Sequence, residues 1–136
     1  YEGRINPIAT FPATGVCIWG QKTLQVRPTA LDRINVRRLM IAVKKFIASS
    51  SKYLVFEQNT IQTRNRFLNI ANPFLESVQQ RQGLFAFRVV MDETNNTPDE
   101  IDRNRLIGAI FLQPAKTAEF IVLDFNILPT GATFGD

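Results

Sequence analysis

Six apolar residues, Val36, Leu39, Met40, Val43, Phe46 and Ile47, recur at steps of three and four and so share one arc of a helix. Arg33, Arg37, Arg38, Lys44 and Lys45 fall on roughly the opposite arc, so the spacing predicts an amphipathic helix with a basic outer side. At about 1.5 Å per residue, a helix over residues 31–47 is about 25 Å long, and its basic row is longer than a point contact. A helix with one apolar stripe must bury it against a second layer. The rest of the chain has to supply that layer.

The remaining segments read mostly as short strands and one further long helix. Pro7, Pro12 and Gly15 predict an extended, irregular opening over residues 1–15, and Val16 to Trp19 a short buried strand ending at Gly20. After the serines at 49–51, Tyr53, Leu54, Val55 and Phe56 are β-prone enough for a core strand. Asn59 and Thr60 can cap a second helix whose core positions are Phe67, Ala71, Phe74, Leu75 and Val78, with a kink or break expected near Asn72 because Pro73 removes a backbone donor. Gly83 suits the residue past its end, and Phe85, Phe87, Val89 and Met91 alternate with Ala86 and Arg88 as in a strand. Thr97 and Glu100 fit a capping box around Pro98, which opens a short helix. Leu106–Leu112 and Phe120–Leu128 are the last strand candidates, with a hairpin turn over Pro114–Thr117. The expected class is α/β, a single sheet flanked by helices, in one domain of 136 residues.

Composition removes most enzyme chemistry. With no histidine and one cysteine, Cys17, the chain lacks the usual residues of zinc sites, catalytic triads and internal disulfides. Cys17 stands between Val16 and Ile18, where a thiol packs rather than reacts. The seven glycines are scattered, and none opens a helix in phosphate-loop spacing. Asp92, Glu93, Asp99, Glu100 and Asp102 cluster in one loop, but a calcium loop starting at Asp92 would need glycine where Thr97 stands. No metal site and no cofactor is expected, and Thr97 and Glu100 are given a structural capping role.

The net charge of +4 conceals an asymmetry. Residues 22–88 carry twelve lysines and arginines against three carboxylates, whereas residues 89–136 carry three against eight. Three readings compete: a solvated basic helix face, a basic patch for an anionic partner such as nucleic acid, or a subunit that meets copies of itself plus against minus. The aromatics do not interleave with the basic face, and Asn35 is a poor base reader on its own, so a basic nucleic-acid-binding module stands as the alternative.

Several segments in order go beyond pattern: INPI at 5–8, WGQKTLQ at 19–25, ALDRINVRRL at 30–39, RNRFLN at 64–69, DETNNTPDEIDRN at 92–104 and PAKTAEFI at 114–121. Together they resemble the C-terminal domain of the tail sheath proteins of contractile-tailed bacteriophages and phage-tail-like injection systems. The resemblance implies a structural protein rather than an enzyme, part of a longer subunit, as the start at Tyr1 also suggests. It implies a homo-oligomer, a helical sheath of many copies around an inner tail tube, shortening to drive the tube through a cell envelope. The implied partners are the tube protein and the baseplate and tail terminator proteins, with no membrane, and the implied place is the virion tail or a tail-like particle, assembled in the bacterial cytoplasm. In such sheaths extended arms add strands to a neighbour's sheet. On that footing residues 118–136 are expected to form the C-terminal linking arm. Its strand would be Phe120, Ile121, Val122, Leu123, Asp124, Phe125, Asn126, Ile127 and Leu128, in which Ile121, Leu123, Phe125 and Ile127 alternate with Val122, Asp124 and Asn126. Arg33, Arg37, Arg38, Lys44 and Lys45 are expected to make an inter-subunit or tube contact.

Overall fold

A computed structural model describes residues 2–125. The chain begins with a hairpin of β1 (Ile8–Phe11) and β2 (Gly15–Ile18), antiparallel with Ile8 opposite Ile18. Helix α1 (Ile34–Ser51) follows, running into a single 3-10 turn at Lys52–Leu54, and then helix α2 (Ile61–Gln80). Strand β3 (Leu84–Val90), the short helix α3 (Pro98–Asp102) and strand β4 (Ala109–Pro114) complete the order, with β3 and β4 antiparallel. The chain is thus α/β with helices against sheet, but its described strands form two separate two-stranded sheets rather than one.

The body is a two-layer packing of α1 and α2 on one face of β3–β4. Val43, Leu75, Val78 and Leu84 form one buried cluster, and Leu54, Phe67, Ala71 and Met91 a second. Ile47, Val89 and Ile110 pack against both clusters, so the core is continuous along the helices. Phe46 of α1 stacks on Phe74 of α2 with ring centroids 3.9 Å apart, which ties the two helices directly.

Helix α2 follows its sequence signals at both ends, with two departures. Thr60 is the N-cap, and its hydroxyl accepts from the Thr63 amide at 3.4 Å. The helix runs without interruption through Pro73, so the expected break does not occur; burial of Ala71 and Leu75 on either side outweighs one lost backbone bond. At the C-terminus the left-handed residue is Gln82 (φ 64°), not Gly83. The Gly83 amide donates to Val78 O at 3.0 Å and the Gln82 amide to Gln79 O at 2.9 Å, a Schellman closure. Gly83 is needed there for space: a Cβ would lie 2.9 Å from Val78 Cγ1.

Other expectations also change. Tyr53–Phe56 is not a core strand; only Leu54 is buried, while Phe56 adopts φ 70° and is fully exposed. The opening segment, expected to be irregular, contains β1, and β2 is an exposed rather than a buried strand. In β3 a bulge between Leu84 and Ala86 shifts the register, so Leu84 turns into the core and Phe85 turns out to solvent, although Phe87 and Val89 keep the inward face. The last described strand lies at 109–114 and pairs among the described residues with β3 alone, so no hairpin turn forms over Pro114–Thr117, and residues 120–125 form no strand. Asn126, Ile127 and Leu128 of the expected linking strand lie outside the described residues.

Candidate assembly interface

The loop between β3 and β4 is built on one buried amide. Asn96, 2% exposed, donates to Asp92 O at 3.1 Å and to Ile107 O at 2.9 Å, and accepts from the Ile107 amide at 2.9 Å. These bonds replace backbone pairing across the loop and bring its two ends together. Thr97 occupies the N-cap of α3, but its side chain makes no cap bond. Glu100 turns instead towards Arg103 and Arg105, at 3.7 and 3.6 Å, so the expected capping box is not formed. Both guanidinium groups lie beyond hydrogen-bond reach, so these are ion pairs only, and Glu100 Oε2 has no hydrogen-bond partner. The Asp92 carboxyl is held below its ordinary range, first by the Thr94 hydroxyl and then by the Thr94 amide at 2.9 Å.

The five cations expected to act together separate into two groups. Arg37, Arg38, Lys44 and Lys45 are exposed on α1, and among the described residues they make no ion pair. They lie three and four residues either side of Ile41, itself 47% exposed, so this face is an apolar centre ringed by four positive charges. Arg33 is different. It is the N-cap residue of α1, turned back onto Asp32 at 3.3 Å and onto the Glu119 carboxylate. Sequence periodicity placed Arg33 on the basic arc because it carries no information about a carboxylate 86 residues away.

Three apolar surfaces have no cover within the described chain. On β1–β2 the outward face carries Ile8, Val16 and Ile18, next to an exposed Trp19 that rests on Phe11 at 4.5 Å. The sheet face of β3–β4 turned away from the helices exposes Phe85 and Phe111. After Glu119, residues Phe120, Ile121, Val122, Leu123 and Phe125 are each 70–86% exposed. Between the end of α1, the turn at Leu54 and the α3–β4 connection runs a groove of about 1040 Å³, lined by Phe67, Met91, Leu106 and Ile110 among others. Monomeric domains rarely leave so much apolar surface uncovered, and such surfaces mark contacts with other chains or segments. Neither β3 nor β4 has a second strand neighbour among the described residues, so the outer edges of this sheet offer backbone groups for pairing.

Comparison with known proteins gives this surface its context. The family model described as the phage tail sheath C-terminal domain matches residues 27–128. The chain belongs to that family. It is 41% identical over all 136 residues to the tail sheath protein of Vibrio phage KVP40 and 40% identical to that of Enterobacteria phage T4. In both cases the whole chain is matched, but it spans only about a fifth of the relative, 20% and 21%. Among solved structures, a chain in the cryo-EM structure of the anti-feeding prophage baseplate superposes with a TM-score of 0.79 at 28% identity, covering 90% of this chain and 36% of that one. A chain in the contracted state of the same baseplate gives 0.78 at 26% identity, covering 89% and 33%. The fold of this sheath domain therefore resembles its counterparts in a baseplate assembly, including one in a contracted state.

Proposed function

We propose that this sheath domain is the C-terminal part of a structural subunit that polymerises helically around an inner tube and contracts to drive the tube through a cell envelope. The observation that carries the reading is the run at 120–125. Five apolar side chains stand in solvent on a domain that matches tail sheath proteins along its whole length. Such a run is costly in a monomer and useful in a subunit whose neighbour covers it. Residues 118–136 act as the linking arm, and Phe120 to Leu128 become a strand only when paired with a second copy. Residues 1–136 are one C-terminal domain of a longer subunit, with 1–15 leading into it.

The same reading assigns the rest of the surface. Arg37, Arg38, Lys44 and Lys45 around Ile41 meet an acidic surface, either of another subunit or of the tube. Head-to-tail contact between the basic segment 22–88 and the acidic segment 89–136 of another copy propagates as a helix, because a heterologous contact need not close. The work of contraction comes from surfaces that match better in the shortened state, so the subunit performs no catalysis and needs no cofactor. The baseplate and a tail terminator bound the sheath, and the particle is a phage tail built in the bacterial cytoplasm; the phage origin of the 40–41% relatives supports the viral over the bacterial particle.

The test is the full-length subunit carrying Val122→Pro and Asp124→Pro, viewed by electron microscopy. Proline cannot donate to a strand ladder, so striated tubes formed by the wild type should be lost while amide exchange in α1, α2 and β3 stays protected. Normal tubes from that variant sink the arm assignment. Wild-type monomers that shift DNA in a gel and never form tubes sink the sheath reading in favour of a nucleic-acid-binding module.

A further inference from the structure

The chain changes character between Glu119 and Phe120. Upstream, the segment after β4 is tied to the body at successive points. The Ala115 amide donates to Gly83 O at 3.3 Å, Thr117 accepts from the Gln21 side chain, and Glu119 takes the Arg33 guanidinium through both carboxylate oxygens, the second at 3.4 Å. Downstream, none of the apolar residues described over 120–125 is covered. Arg33 is itself held by its surroundings: the next residue's amide, that of Ile34, donates to Gln21 O at 2.8 Å, Arg33 bridges Lys22 across a strand-like pair, and Thr23 donates through both amide and hydroxyl to Asp32 O, at 3.1 and 3.0 Å. Three stretches distant in sequence, 21–23, 32–34 and 117–119, therefore meet at the start of α1. That helix has no acidic residue in its first turn and no side-chain cap from Arg33, and beside Asp32, which also meets Arg33 at 3.3 Å, Glu119 brings a second negative charge to its N-terminus. The pair is also partly shielded, with side chains 30% and 16% exposed, where a two-oxygen arginine–carboxylate contact is strongest and most directional.

We propose that the Arg33–Glu119 pair is a clasp fixing the point and direction at which the linking arm leaves the body. Arg33 is thus a positioning residue within the subunit rather than a member of the basic contact face. The inference rests on the proposed arm. Its physical content is that a strand donated to a neighbour reaches the right register only if its root is held: an unclasped root lets the segment from Lys116 onward swing, which lowers the effective concentration of the arm at its acceptor and blurs the subunit spacing.

The experiment uses the full-length subunit with Glu119→Gln, Arg33→Glu, and the exchange Arg33→Glu with Glu119→Arg. Cleavage by a lysine-specific protease reads the clasp without assembly: the exposed bond after Lys116 should be cut faster in both single variants and more slowly again in the exchange variant, with amide exchange in the α1–α2 core unchanged in all three. Electron microscopy reads the consequence, with tubes lost or irregular in the singles and regular in the exchange variant. Unaltered cleavage after Lys116 in Glu119→Gln overturns the clasp. So do regular tubes from both single variants. Absence of tubes from the wild type, with the cleavage pattern as expected, overturns the sheath reading and leaves the clasp standing.

Discussion

The two antiparallel strand pairs of this domain, a tight hairpin and a pair joined through α3, are similar in sequence character and opposite in fate. β3–β4 buries Phe87, Val89, Ile110 and Leu112 against α1 and α2, while β1–β2 leaves Ile8, Val16 and Ile18 in solvent. Both are antiparallel, and both carry β-branched and aromatic residues. What separates them is a second layer: two amphipathic helices lie over β3–β4, and none of the described residues covers the outward face of β1–β2. Strand propensity here reports fitness for a pleated half-buried surface and does not say which molecule supplies the cover. The segment at 120–125 extends the same lesson, since its alternation is strand-like and its backbone, with no partner, forms no strand.

The largest expected effect that sharpens this contrast comes from the core. Leu75 is 0% exposed at the centre of the body, so Leu75→Ala should cost about 2–5 kcal/mol in chemical denaturation of the domain. Ile18→Ser in the outer hairpin should stay within about 0.5 kcal/mol, because that side chain has little burial to lose. Comparable losses at the two sites would break the comparison.

A smaller effect separates two threonines in similar sequence positions. Thr60→Ala removes a side-chain cap from α2 and should cost about 0.5–2 kcal/mol, towards the lower figure given the 3.4 Å bond. Thr97→Ala removes no cap bond, and its midpoint should match the wild type. Destabilisation at Thr97 equal to that at Thr60 would restore the capping box as a real contact.

The smallest effect concerns the loop that joins β3 to β4. Asp92 is held in its charged form by Thr94, so its folded value lies below its unfolded one. The associated stabilisation is present above the ordinary carboxylate range and is lost as pH falls through the depressed folded value. NMR titration of Thr94→Val should move the Asp92 carboxyl back up by removing the hydroxyl donor. An unmoved Asp92 would show that the backbone amide alone holds it.

Periodicity carried much of the body. The apolar stripe of α1, the Thr60 cap, and Phe67, Ala71, Leu75 and Val78 as core positions of α2 follow from spacings of three and four, which are local. The family, too, was legible, because several motifs occur in order along the chain. The misreadings share one cause. Tyr53–Phe56 looks like a strand, but it follows α1 directly and closes it with a 3-10 turn. Phe85 looks inward, but a bulge between Leu84 and Ala86 turns it out. Arg33 looks like part of a basic face, but a distant carboxylate claims it.

The sequence by itself determined which helix faces are apolar and where α2 and α3 start, although α1 begins at Ile34 rather than at residue 31, since these depend on side-chain type and on periods of a few residues. Tertiary structure alone decided which apolar faces find cover, where the strand register slips, and which cations stay in solvent. Those outcomes depend on contacts between residues tens of positions apart, such as Arg33 with Glu119, where packing and charge pairing outweigh the weak preferences of any single segment.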